Sequence, residues 1–134
     1  MWARLRALLQ KEPQPALQLQ REALVDLLLL GMYVDHRLSV AETDVIHDQL
    51  LDMPWESGMA LSIYIQSNMP RIRTAYENLP ARWQLLQSIR DRLATPDARR
   101  DAYQKLQEFL AVDGIAQGEQ ELLTQVRTVL GLSR

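Results

Sequence analysis

Four acidic residues occupy matching places in two similar stretches of the chain. Asp35 ends one apolar run and is followed by Glu42, and Asp113 ends a second apolar run and is followed by Glu119. At about 100° of rotation per helical residue, each of the four lies on the apolar stripe of its helix, near the end of that helix. A carboxylate in such a position needs hydrogen bonds or a cation to compensate for its burial.

Two compensations are open. In the first, the aspartates accept backbone N–H groups of their loops and the glutamates complete capping boxes, as Ser39 and Glu42 can do. Glu119 fits this less well, because Ala116 has no hydroxyl group. In the second, the four carboxylates Asp35, Glu42, Asp113 and Glu119 converge on a divalent cation, which could be Ca²⁺, Mg²⁺, Mn²⁺ or Zn²⁺. The spacing is not that of an EF-hand loop.

Asp44, His47 and Asp48 form a second candidate metal cluster, since a spacing of i, i+3 and i+4 places them on one helix face. The alternative is a solvated polar face. Catalysis is not expected, because the sequence has no nucleophile elbow and no phosphate-binding loop among its five glycines.

The apolar positions recur at spacings of three and four, never strictly at two, which predicts an all-α fold. We expect a compact array of about seven to eight helices, with residues 1–15 as an N-terminal helical arm and 16–134 as the main domain. Thr95 is a predicted N-cap, and Pro15 and Pro96 are predicted first helical residues. The helices are expected near 2–11, 16–35, 40–53, 57–69, 71–78, 81–94, 96–112 and 117–130.

Composition limits the function classes. The chain has 134 residues, 47% of them apolar, with no cysteine and a net charge of −2. Its longest apolar run, Leu27–Val34, is far shorter than the ~20 residues of a membrane span, so we expect no transmembrane segment. Residues 70–105 hold eight Lys/Arg and four Asp/Glu. This basic region or the N-terminal arm could contact a protein partner, whereas nucleic acid is disfavoured because the chain is not basic overall.

The stretch from Asp113 to Glu119, Asp-Gly-Ile-Ala-Gln-Gly-Glu, together with its variant from Asp35 to Glu42, resembles the signature of the bacterial tellurite-resistance TerB-like family. The likeness covers roughly residues 20–132. It implies a cytoplasmic, all-helical domain with two pseudo-symmetric helix–loop–helix units, a link to tellurite and other chemical stress, and metal binding by these four acids. In the first copy His36 replaces the signature glycine, and the second loop is one residue shorter.

The expected function is therefore a non-catalytic stress-response domain that binds a divalent cation through its two acidic loops. The alternative is an interaction module that uses the basic region 70–105 or the N-terminal arm.

Overall fold

The computed structural model describes residues 15–34, 55, 60–111 and 117–132, and these residues form helices without any strand. The all-α prediction is therefore confirmed. Predicted helices 2–11 and 40–53 lie outside the described residues, so the count of seven to eight helices and the N-terminal arm 1–15 stay predictions. The described helices are α1 (Pro15–Val34), α2 (Leu61–Glu77), α3 (Leu79–Arg92), α4 (Pro96–Ala111) and α5 (Gln117–Leu130).

Helix α1 is the centre of the fold. Every residue from Ala23 to Tyr33 is buried, and α1 contacts each of the other four helices. A helix that is apolar on all sides can be stable in this way only inside a protein core or a membrane. None of the described helices has both the length and the apolar character that a bilayer crossing requires.

Pro70 does not separate two helices, and the prediction of a break between residues 69 and 71 is wrong. Helix α2 runs through the proline without interruption. A proline inside a helix removes one backbone hydrogen bond, but Ile65 on one side of it and Ile72 and Ala75 on the other are all buried. Packing of both halves on the same core holds the helix together across the missing bond.

The helix ends follow local sequence signals. Thr95 Oγ1 accepts a hydrogen bond from the Ala98 backbone N–H at 3.1 Å, which confirms the predicted N-cap of α4. Asn78 caps α3 in the same manner, accepting from the Ala81 N–H at 2.9 Å. Helix α5 ends at Leu130 and is followed by Gly131, whose φ of 69° is the left-handed conformation that glycine adopts without strain.

A close helix contact at Gly31 generates the first prediction. A methyl group on Gly31 would lie only 2.9 Å from Leu106 Cδ1, a buried core atom. Gly31→Val should therefore force α1 and α4 apart and lower the free energy of unfolding by about 1–3 kcal/mol, measured by urea denaturation.

Gly118→Ala is the matched control, because its new methyl group would meet Val34 Cγ1 at an ordinary 3.7 Å. It should be neutral or stabilise α5 by up to ~1 kcal/mol. A Gly31→Val protein as stable as the parent would contradict the packing of α1 on α4.

Candidate functional site

Helices α1 and α4 end at the same end of the bundle. Gly31 lies three residues before the end of α1, and a methyl group placed on it would also meet Leu110 Cδ2 at 3.5 Å. Leu110 is the penultimate residue of α4. The C-terminal turns of α1 and α4, which precede Asp35 and Asp113 in the chain, therefore lie side by side.

Helix α5 begins at that same end. Gly118, its second residue, lies against Val34, the last residue of α1. The next residue, Glu119, is only 2% exposed. It shares its buried face with the apolar side chains that the sequence pattern predicted, Leu122, Leu123, Val126 and Leu130. We define the meeting of these three helix termini, at Val34, Ala111 and Gly118, as the acidic end of the bundle.

Of the predicted metal ligands, the structure describes only Glu119. Asp35, Glu42 and Asp113 lie outside the described residues, as does the secondary cluster of Asp44, His47 and Asp48. Within the described part of the chain, no three Asp, Glu, His or Cys residues form a group that could hold a metal ion. A cation at the acidic end would thus require ligands from the loop segments in addition to Glu119.

A buried polar cluster among the described residues surrounds Asp26. Sequence reasoning did not single out this residue. This carboxylate has no exposed surface although it lies in the middle of α1. Arg92 Nη2 of α3 donates to its Oδ2 at 2.7 Å, and the Tyr64 hydroxyl of α2 donates to its Oδ1 at 2.8 Å. Asn68 Nδ2 also donates to Oδ1, and Arg71 Nη1 lies 3.8 Å from Oδ2.

Burial dominates the electrostatics of this cluster. It raises the pKa of the Asp26 carboxyl, and the nearby charge of Arg92 and the hydrogen bonds from Arg92 and Tyr64 only partly oppose that shift. Burial and the Asp26 charge also raise the pKa of the Tyr64 hydroxyl. A carboxylate without exposed surface cannot meet a substrate, so the cluster ties α1 to α2 and α3 rather than performing chemistry.

The sequence does hold one signal for Asp26. It is the single charged residue in the run from Ala23 to Val34, and an acid within such a run must find a partner. The partner could not be identified from periodicity, because Arg92 is 66 residues away in the chain.

Several arginines of the basic region 70–105 have structural roles. Arg82 donates to the Ala75 and Tyr76 carbonyl oxygens at 3.2 and 2.8 Å, and so caps the end of α2. Arg99 donates to the Leu93 carbonyl at 2.8 Å, just beyond the end of α3. Together with the ion pair of Arg92, these contacts account for part of the charge asymmetry without any external partner.

No family model, curated protein or solved structure matches the chain. The resemblance to the TerB-like family therefore stays a prediction that rests on the acidic loop pattern.

Removal of Arg92 tests the ion pair. Arg92→Ala would leave the Asp26 carboxylate buried without its closest cation, which typically costs about 3–5 kcal/mol of folding free energy. Arg90→Ala is the matched control on the same helix, since the Arg90 side chain is exposed and its loss should change stability by no more than about 0.5 kcal/mol. The free energy of unfolding is measured by urea denaturation. An equal decrease in the two variants would show that the Arg92–Asp26 pair contributes no more to stability than an exposed arginine does.

The pH dependence of stability tests the raised pKa of Asp26. Because the folded-state pKa lies above the ordinary value of 3.8, the contribution of this carboxyl is largest below that value and falls as pH rises through the folded pKa. The stability advantage of the parent over Asp26→Asn should therefore shrink in urea titrations as pH rises above the ordinary value of 3.8. An advantage that grows with pH would mean that attraction to Arg92 outweighs the cost of burial.

Proposed function

We propose that the chain is a non-catalytic, TerB-like stress-response domain of bacteria that binds a divalent cation at the acidic end of the bundle. The ligands in this proposal are Glu119 and the loop acids Asp35, Glu42 and Asp113. The observation that carries the proposal is the burial of Glu119, which is 2% exposed, beside the terminus of α1.

The chemistry of the donors fits a hard divalent ion. A carboxylate removed from water loses hydration that must be replaced by hydrogen bonds or by a cation. All four proposed ligands supply carboxylate oxygens, which Ca²⁺, Mg²⁺ and Mn²⁺ prefer. The ends of α1 and α4 and the start of α5 meet at one place, so a single ion there could connect both helix–loop–helix units.

The competing explanation for these acids is helix capping. Glu119 lies in the first turn of α5, where the helix dipole favours an acid and backbone N–H groups without an intrahelical partner can donate to its carboxylate. Capping and cation binding predict different responses to added metal, because a cap needs no ion.

Thermal unfolding of the metal-stripped protein separates the two. A cation at about 100 times its Kd stabilises the folded state by about 2.7 kcal/mol, which raises Tm by several degrees in a domain of this size. Ca²⁺, Mg²⁺, Mn²⁺ and Zn²⁺ are added in turn. At least one should raise Tm of the parent, and the rise should vanish in Glu119→Gln and in Asp35→Asn/Asp113→Asn.

Glu121→Gln is the matched control, because Glu121 lies two residues further along α5 and is exposed. It should keep the full response to the ion. If no ion shifts Tm of the parent while Glu119→Gln alone is strongly destabilising, the acids are caps and the proposal is wrong.

The alternative function is an interaction module based on region 70–105. Fewer basic side chains of this region are available to a partner than its sequence suggests. Arg82, Arg92 and Arg99 make the intramolecular contacts described above. Arg92 in particular cannot be reversed in charge to test docking, since the change would place two acids together in the core. The N-terminal arm lies outside the described residues.

A further inference from the structure

A second surface, which differs in chemical character from the acidic end, lies between α4 and α5. An open groove with a volume of about 560 Å³ runs along α4 beside the C-terminal end of α5. Its size is within the ~300–1,000 Å³ range of ligand sites in proteins. Its lining includes Pro96, Arg100, Tyr103, Gln104, Gln107 and Arg127.

The charged side chains in the described lining of the groove are Arg100 from α4 and Arg127 from α5, and no acidic residue is among the described residues that line it. The guanidinium group of Arg127 makes no hydrogen bond or ion pair with any other residue that the structure describes. Guanidinium groups bind carboxylates through paired, charge-assisted hydrogen bonds, so the groove is complementary to an anion.

Arg100 can also turn toward a ligand. It pairs with Asp97 one turn earlier on α4, and both side chains of this pair are well exposed, at 66% and 90%. Exposed pairs contribute little stability and exchange readily with other partners. The pair with Asp97 therefore does not remove Arg100 from the groove.

The length of the groove favours a peptide over a small anion. Pro96 and Gln107 mark its extent along α4, and the eleven helical steps between them, at ~1.5 Å per step, make about 16 Å. An extended chain of about five residues covers this distance at ~3.3 Å per residue. Gln104 and Gln107 also line the groove, and their amide groups can donate to and accept from a peptide backbone. Gln104 Nε2 also donates to Glu108 Oε1 at 3.4 Å, in an exposed contact.

We propose that the groove between α4 and α5 binds an extended acidic peptide segment, with Arg100 and Arg127 holding its carboxylates and Gln104 and Gln107 contacting its backbone. This goes beyond the cation site, because it uses different residues and needs no metal. It also assigns the interaction surface to a single groove that includes Arg127 of α5, instead of to the whole of region 70–105.

The test is a fluorescence anisotropy titration of the full chain, in EDTA, with a fluorescein-labelled peptide of six glutamates. The parent should bind, and Arg100→Ala/Arg127→Ala should weaken binding about tenfold or more, equivalent to about 1.4 kcal/mol. The control Arg73→Ala/Arg90→Ala removes the same charge from two exposed residues outside the groove and should change affinity less than about twofold. Circular dichroism checks that both variants keep the parent's helical content.

Three results would overturn the proposal. The first is no binding by the parent. The second is an equal loss in both double variants, which would show diffuse attraction to positive charge. The third is displacement of the peptide by free glutamate at concentrations similar to those of unlabelled peptide, which would show a site for one carboxylate. Because EDTA is present, each of these results is independent of whether the acidic end binds a cation.

Discussion

The fold depends on compensating one charge inside the buried stretch of helix α1. Helix α1 is buried from Ala23 to Tyr33, so the carboxylate of Asp26 cannot reach water and has to find its partners within the core. Arg92 of α3 and Tyr64 and Asn68 of α2 supply them. Apolar packing has little directional preference, whereas these hydrogen bonds have a defined geometry and therefore favour one register of α2 and α3 along α1.

This register has consequences at the far end of α1. Once α1 is held by α2 and α3, its C-terminal turn lies against α4 through Gly31 and against α5 through Val34. The position of the acidic end therefore depends on how α1 packs against the other four described helices. The groove lies along α4 and the C-terminal end of α5, and its two arginines, Arg100 and Arg127, are exposed. Its lining does not include Glu119, and we propose different ligands for the groove and for the acidic end.

Sequence reasoning succeeded where the signal was local. Thr95 and Pro96 mark the start of α4 by their own side-chain chemistry, and the apolar spacing of α5 correctly placed Glu119 on a buried face. It failed where tertiary contacts decide the outcome. The helix-breaking tendency of Pro70 was outweighed by buried residues on both sides, and the partner of Asp26 lies on another helix far along the chain. The loop acids Asp35, Glu42 and Asp113 lie outside the described residues, so their convergence with Glu119 stays a prediction.

The most direct test of the proposed cation site is paramagnetic line broadening by Mn²⁺ in a ¹H–¹⁵N NMR spectrum of the assigned, metal-stripped protein. Paramagnetic broadening is local, so a bound ion reports its position. We predict that substoichiometric Mn²⁺ first broadens the amide signals of Val34, Ala111 and Glu119 together, while those of the exposed acids Asp97 and Asp101 stay sharp, and that Ca²⁺ or Mg²⁺ in excess restores them. Broadening that begins at Asp97 and Asp101, or that is uniform along the chain, would contradict a cation site at the acidic end.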